Sequence, residues 1–192
     1  MNLPEKTEKM TIHTIETAPE GSKELLLQSK KAHGFIPNLH GVLAEAPTAL
    51  AAYIDLHKHF MKSSFDKDQL TVVWQTINVE HDCHYCVPGH TGIAKAMKVD
   101  DAIIDALRNQ TAMPTEKLQA LHLMTLSMTR NRGIVSQQEL TDFYAAGYSQ
   151  SHVLEIILGL SQKVISNYTN SVAATPLDSS SEKYVWTKKV AK

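Results

Sequence analysis

The chain has 192 residues, of which 43% are hydrophobic and 20% charged, a composition that excludes a disordered or membrane-embedded protein. Lys and Arg total 19 and Asp and Glu total 20, and this net charge of -1 argues against binding nucleic acid through a basic surface. Eight glycines and seven prolines are too few for a fold of many short strands. Two cysteines, Cys83 and Cys86, rule out a secreted disulfide scaffold.

The chain shows no sign of membrane targeting. Its first 22 residues are polar and charged, and no run approaches eighteen apolar residues, so we expect neither a secretory signal nor a transmembrane helix. The predicted location is the cytoplasm, where a pair of nearby cysteines is kept reduced.

The N-terminal third predicts an arm followed by helices. Residues 1–20 have no periodicity and are expected to form an arm or tail. Ser22 is the expected N-cap of a first helix that stops at His33 and Gly34. A short segment opens at Pro37, and Pro47 begins a longer helix.

The rest of the chain predicts further helices, each opened by a capping residue: Asp66, Asp100, Thr115, Ser136 with Glu139 as a capping box, and Ser149 or Ser151. Gly147 is expected to close the helix that starts at Ser136. The middle of the helix after Asp66 is β-branched, but its length favours a helix. We therefore predict one all-α domain of about eight helices over residues 21–178, and a C-terminal tail over residues 179–192.

The chemically informative stretch runs from Glu80 to His90. If a helix begins near Cys83, then Cys83 and Cys86 are i, i+3 neighbours, and Cys86 and His90 are i, i+4 neighbours. A thiol at a helix N-terminus has a lowered pKa, and a nearby imidazole can take its proton. The second thiol can then attack the oxidised first one, so that the pair cycles between dithiol and disulfide. Pro88 fits this helix at the end of its first turn, or else the helix begins near Val87.

Two alternatives stay open at this point. Thiolates and imidazoles also bind zinc, and Cys83, Cys86 and His90 with His81 or His84 would give four ligands. The second pair of ligands that a structural zinc site normally has is missing from the sequence. The two cysteines can also be buried residues that only pack.

The string INVEHDCHYCVPGHTGIAKA resembles the cysteine motif of the carboxymuconolactone decarboxylase and alkylhydroperoxidase D (AhpD-like) superfamily. The preceding GFIPNLHGVLAEAPTALAAYIDLHKHF and the closing SNYTNSVAATPLD are also similar to the peroxidase-related members, so the resemblance covers residues 20–178. It implies an AhpD-like all-α fold and a homo-oligomer, a trimer or hexamer. It also implies a thiol-dependent peroxidase or disulfide reductase, with Cys86 attacking, Cys83 resolving and His90 relaying the proton.

The sequence departs from the family pattern at one position. The family carries a glutamate twelve residues before the first cysteine, where this chain has Thr71. A threonine cannot act as a general base, and Gln75 one turn later cannot ionise. We predict that Glu80 replaces the carboxylate; a helix-end charge is the alternative for this residue.

The expected function is thus a cytoplasmic thiol oxidoreductase that needs no cofactor and no metal. Its substrate would be a hydroperoxide or a disulfide, and a dithiol protein would reduce it again. A lyase acting on a small cyclic acid is the other activity in the family, but those members need no cysteine pair. A zinc-binding protein without enzymatic activity is the remaining alternative.

Overall fold

The structure is a computed structural model that describes residues 10–189. Over those residues the chain forms helices and no strand, which confirms the predicted all-α class. The helices are α1 (Glu20–His33), α2 (Asn38–Leu43), α3 (Pro47–Phe60), α4 (Lys67–Glu80), α5 (Cys86–Ala96), α6 (Asp101–Asn109), α7 (Glu116–Arg130), α8 (Gln137–Ala145), α9 (Gln150–Ala173) and a 3-10 helix (Ser179–Tyr184). Within the described part of the chain, none of these helices is long and apolar enough to cross a membrane.

Helix α4 lies at the centre of the fold. Every residue from Gln69 to Val79 is buried, because α5, α6, α7 and α9 all pack around this helix. Its β-branched middle therefore faces neighbours on all sides, as expected for a core helix. The main apolar core joins α4 to α6, α7, α8 and the start of α9.

Side-chain capping explains four of the helix starts, those of α4, α6, α7 and α8. Asp66 accepts hydrogen bonds from the backbone N–H groups of Asp68 and Gln69, and Ser136 forms the predicted capping box with Glu139. The prediction for Ser22 is wrong: α1 begins two residues earlier, at Glu20, after Pro19. The Ser22 hydroxyl is buried and donates to the carbonyl of Ala44, at 2.6 Å, so it ties α1 to the end of α2.

Of the two helix starts considered, near Cys83 and near Val87, the one near Cys83 is wrong. After α4 the chain turns through Asp82 in a left-handed conformation (φ 52°), and the N–H of Cys83 closes α4 by donating to the carbonyl of Asn78. Helix α5 begins at Cys86 instead. Pro88 explains this start, because the first turn is where a helix does not need the N–H that proline lacks.

The chain ends fold more than the sequence predicts. The backbone N–H of His13 donates to the carbonyl of Gly41, while residues 1–9 of the predicted arm lie outside the described residues. In the segment predicted as a tail, Trp186 is only 8% exposed and packs on Val79 and Val87. Arg108 holds this segment by donating to the carbonyls of residues 184 and 185.

Candidate active site

The two cysteines are free thiols that meet at the start of α5. Cys86 is 3% exposed and Cys83 is 4% exposed. The backbone N–H of Cys86 donates to the sulfur of Cys83 at 3.2 Å. Cys83 thus lies in the turn before the helix and accepts the first N–H of α5, while Cys86 occupies the first helical position.

A polar face of α9 closes over this pair. It consists of buried residues spaced three and four apart: Gln162, Lys163, Ser166, Asn167 and Asn170. The side-chain amide of Asn170 donates to the sulfur of Cys86 at 3.2 Å. Asn167 donates to the side-chain oxygen of Asn78 on α4, which fixes the turn that carries Cys83. The exposed side of α9 mixes polar residues with apolar ones such as Leu154, which is 66% exposed, so much of the polarity of this helix faces inward.

His90 lies one turn after Cys86, as the sequence predicts, and it is buried. Its Nε2 is 2.6 Å from Nζ of Lys163, which is itself 1% exposed. The indole of Trp74 is tilted against the His90 ring at 4.9 Å between centroids, and His57 stacks on the other side of Trp74 at 5.5 Å. Burial, followed by the charge of Lys163, holds the pKa of His90 well below its usual range, so the imidazole is neutral.

The surroundings of the two thiols set their pKa values apart. Burial by itself raises the pKa of Cys86, but the hydrogen bond from Cys83, the charge of Lys163 and the amides of Asn170 and Asn167 together lower it from 9.0 to about 6. The pKa of Cys83 is raised, chiefly because its thiol donates that hydrogen bond and also because it is buried. These surroundings favour Cys86 as the thiolate of the pair and leave the proton on Cys83.

An apolar cluster formed by the N-terminal helices surrounds the sulfur atoms on the other side. Its buried members are Ala18, Leu26, Leu39, Leu43, Ala44, Leu50, Tyr53 and Tyr85. Burial raises the pKa of Tyr53, and the charge of Cys86 raises it further. This N-terminal apolar cluster makes the site a closed one. An open cavity of about 750 Å³ lies elsewhere, beside α7 and α8, and contains neither Cys86 nor His90.

Glu80 does not join this group in the described contacts. Both of its carboxylate oxygens accept hydrogen bonds from Arg130, and its backbone carbonyl accepts one from Lys188. The Thr71 hydroxyl donates to the carbonyl of Lys67 within α4. Gln75 donates to the carbonyl of Val87 and so ties α4 to α5. The role predicted for Glu80 stays a prediction, and its contacts are those of a structural ion pair.

The zinc alternative lacks a ligand set. Over residues 10–189, no three His, Cys, Asp or Glu side chains converge as metal ligands would. His81 is instead hydrogen-bonded to Asn167, and His90 to Lys163.

Comparison with solved structures identifies the fold. The chain superimposes on the AhpD core of a peroxidase-related protein from Ralstonia eutropha JMP134, with a TM-score of 0.79, 16% identity, and coverage of 97% of this chain and 100% of the other. A peroxidase-related protein from Silicibacter sp. TM1040 gives a TM-score of 0.76 and 14% identity, covering 93% and 97%. The debrominase Bmp8, in complex with 2,3,4-tribromopyrrole, gives 0.75 and 15%, covering 93% and 96%. No protein-family model and no curated protein sequence matches.

The chain therefore has the AhpD-like fold of peroxidase-related proteins, and the resemblance found in the sequence is confirmed at the level of the fold. The sequence reasoning missed the residues that α9 contributes, above all Lys163 and Asn170. A signal for them is present: polar residues recur at helical spacing within an otherwise apolar helix.

Proposed function

We propose that this protein is a thiol-dependent peroxidase or disulfide oxidoreductase, in which Cys86 attacks the substrate, Cys83 resolves the product and His90 relays a proton. The observation that carries the proposal is the asymmetry of the pair. The Cys86 sulfur accepts hydrogen bonds from Asn170 and from the Cys83 thiol, which favour its thiolate, while that donated bond and burial raise the pKa of Cys83. This asymmetry supports assigning the nucleophile to Cys86 and the resolving thiol to Cys83.

The chemistry balances with a hydroperoxide. The Cys86 thiolate forms a bond to the terminal peroxide oxygen, the O–O bond breaks, and the leaving alkoxide takes a proton to become an alcohol. The sulfur of Cys83 then displaces hydroxide from the Cys86 sulfenic acid, and the Cys83 proton leaves with it as water. The product is a Cys83–Cys86 disulfide, which a dithiol protein must reduce.

The test is a thiol titration before and after addition of cumene hydroperoxide. We expect two thiols to be lost together and to return with dithiothreitol. Cys86→Ser is expected to abolish the loss, whereas Cys83→Ser still consumes peroxide but stops at a sulfenic acid that dimedone traps. Loss of a single thiol in the unaltered protein, or of none, would overturn the proposal. The matched pair of variants separates attack from resolution.

A second candidate reaction is the reductive removal of bromine from an aromatic ring. The similarity of the fold to a debrominase, together with the N-terminal apolar cluster beside the thiols, favours it. The same pair of thiols balances this reaction: two sulfurs are oxidised to a disulfide, hydrogen replaces bromine on carbon, and bromide leaves. Bromide release from a brominated pyrrole, with loss of two thiols, would support this substrate class over peroxides.

The lyase activity and the homo-oligomer implied by the resemblance stay predictions. Sedimentation velocity of the purified protein would distinguish a monomer from the expected trimer or hexamer.

A further inference from the structure

Lys163 is a buried lysine with no carboxylate among its described contacts. Its amino group has one described hydrogen bond, to Nε2 of His90, and among residues 10–189 no acidic side chain pairs with it. An ammonium group buried without an anion is strongly disfavoured. The fold must therefore either keep this lysine neutral or provide an anion of another kind.

The anion available is the Cys86 thiolate, whose sulfur contacts Asn170 on the same buried face of α9 as Lys163. Burial lowers the pKa of Lys163, and the charges of Cys86 and Cys83 act in the opposite direction. In return, the charge of Lys163 lowers the pKa of Cys86. The lysine and the cysteine thus share a proton that is held either as an ion pair or as two neutral groups.

The other groups that face Lys163 do not compete for this role. The elements packed against α9 contribute the following titratable neighbours: His57 and Tyr53 from α3, and Cys83, Cys86 and His90 from α5 and the turn before it. Helix α4 contributes Trp74, which does not titrate. Burial holds His57 and His90 neutral, with a pKa of about 4 for His57, and burial raises the pKa of Tyr53, so that its hydroxyl keeps its proton. None of them supplies negative charge.

We infer that Lys163 is the positioning residue that holds Cys86 as a thiolate and, through its hydrogen bond to His90, supplies the proton that the leaving group takes. The second half of this inference rests on the proposed function; the first half does not. Lys163 thereby performs the task that the sequence assigns to Glu80, with the opposite charge and from a different helix.

The charge of Lys163 changes when the cysteines are oxidised. The reduced site holds the Cys86 thiolate, the Lys163 ammonium and the Cys83 thiol, with no net charge. When the alkoxide leaves, His90 gives it a proton and takes one from Lys163, which becomes a neutral amine. The disulfide offers no anion, so Lys163 stays neutral until the pair is reduced again. Protonation of Lys163 is therefore coupled to the oxidation state of the cysteines.

The first test follows the Cys86 thiolate by its absorbance at 240 nm and by the rate of alkylation with iodoacetamide across a pH series. Cys86→Ser supplies the baseline. Lys163→Met is expected to raise the midpoint by at least about one pH unit, that is, to lower the thiolate fraction near pH 6 several-fold. Lys163→Arg is expected to restore a low midpoint, because it restores the charge. Lys58→Met, at an exposed lysine, is the matched control and is expected to change nothing.

The second test keeps Lys163 in place and covers the case in which its variants fail to fold. Lysine labelled with ¹³C at the Cε position reports the charge of each amino group by NMR. At neutral pH we expect one buried lysine to be charged in the reduced protein and neutral both after disulfide formation and in Cys86→Ser.

The outcomes are decisive in both directions. An unchanged thiolate midpoint in folded Lys163→Met, or a buried lysine signal that ignores the state of Cys86, would overturn the inference. Neither measurement uses peroxide, so failure of the proposed peroxidase activity is seen separately.

Discussion

Arg130 binds Glu80 through two hydrogen bonds, from Nε and Nη2 to the two carboxylate oxygens, at 2.8 and 2.9 Å. The pair joins the ends of α7 and α4, and the hydrogen bond from Arg130 is the main reason why the pKa of Glu80 is lowered. The carboxylate of Glu80 is therefore paired with Arg130 on α7, whereas Cys86 and His90 lie on α5.

Glu80→Gln is expected to leave the pH midpoint of Cys86 alkylation unchanged. It is expected to lower the free energy of unfolding by less than about 1 kcal/mol, because the ion pair is partly exposed to solvent. Alkylation across pH and urea denaturation measure the two effects. Arg130→Gln is the matched variant, and a raised alkylation midpoint in Glu80→Gln alone would return Glu80 to the proton relay.

Asn170 offers a test of the hydrogen bonds to sulfur. Its amide donates to Cys86 at 3.2 Å from a buried position on α9. A hydrogen bond to a charged group contributes roughly 1.5 kcal/mol, so Asn170→Ala is expected to raise the midpoint of Cys86 ionisation by roughly one pH unit. Absorbance at 240 nm measures it, with Asn131→Ala as the control at an exposed position. An unchanged pH midpoint of Cys86 ionisation in Asn170→Ala would show that this hydrogen bond does not stabilise the thiolate.

His40 predicts how the fold responds to acid. Nδ1 of the ring is hydrogen-bonded to the hydroxyl of Ser29 at 2.6 Å. Burial, followed by the charges of His33 and His57, lowers the pKa of His40 from 6.5 to about 3. Below pH 6.5 the unfolded chain therefore binds a proton at His40 that the folded chain does not bind. The free energy of unfolding consequently decreases as the pH is lowered. At pH 4.5 this single group costs about 2 to 3 kcal/mol.

The measurement for His40 is urea denaturation from pH 7 to pH 4.5. The His40→Gln variant is expected to lose less stability over this range than the unaltered protein, whatever its stability at pH 7. Equal slopes for the two proteins would show that His40 is not buried in its neutral form.

Gly159 is expected to tolerate no side chain. A Cβ atom there would lie 2.8 Å from the ring of Phe60, which is fully buried. Gly159→Ala is expected to lower the free energy of unfolding by about 1 to 3 kcal/mol through overpacking. Gly89→Ala, where the added atom meets nothing within 4 Å, is the matched control and is expected to be neutral or slightly stabilising. Thermal unfolding compares them, and equal Tm changes would contradict this close packing of α3 against α9.

Features that depend on neighbouring residues could be predicted from the sequence. The caps at Asp66 and Ser136 form as expected, because each bonds N–H groups within three residues. The prediction of Ser22 as an N-cap fails, because its hydroxyl donates to the carbonyl of Ala44, 22 residues along the chain. The helix start at Cys86 depends on how Cys83 closes the preceding helix, which spacing alone does not reveal.

The same distinction divides the candidate site. Cys83, Cys86 and His90 fall within eight residues, so their motif is visible in the sequence. Lys163 comes from 73 residues beyond His90, and only the packing of α9 on α5 brings its amino group to the imidazole. A lone lysine in an apolar helix is normally read as a surface residue. The polar residues on either side of it, at helical spacing, indicate a buried face instead.

Both sulfur atoms are buried, and this affects the two halves of the proposed cycle differently. Oxidation uses a small substrate, whereas reduction of the disulfide uses a folded protein. A molecule of a few atoms can reach Cys86 through small fluctuations of the side chains around it. A folded protein reductant must touch sulfur directly, so the helices that carry the N-terminal apolar cluster have to move away first. We expect small phosphines to reduce the disulfide faster than a thioredoxin-type protein. The rate with the protein is expected to follow the hydrogen exchange of amides in α1 and α2, so that the opening of these helices governs how quickly the site is reset.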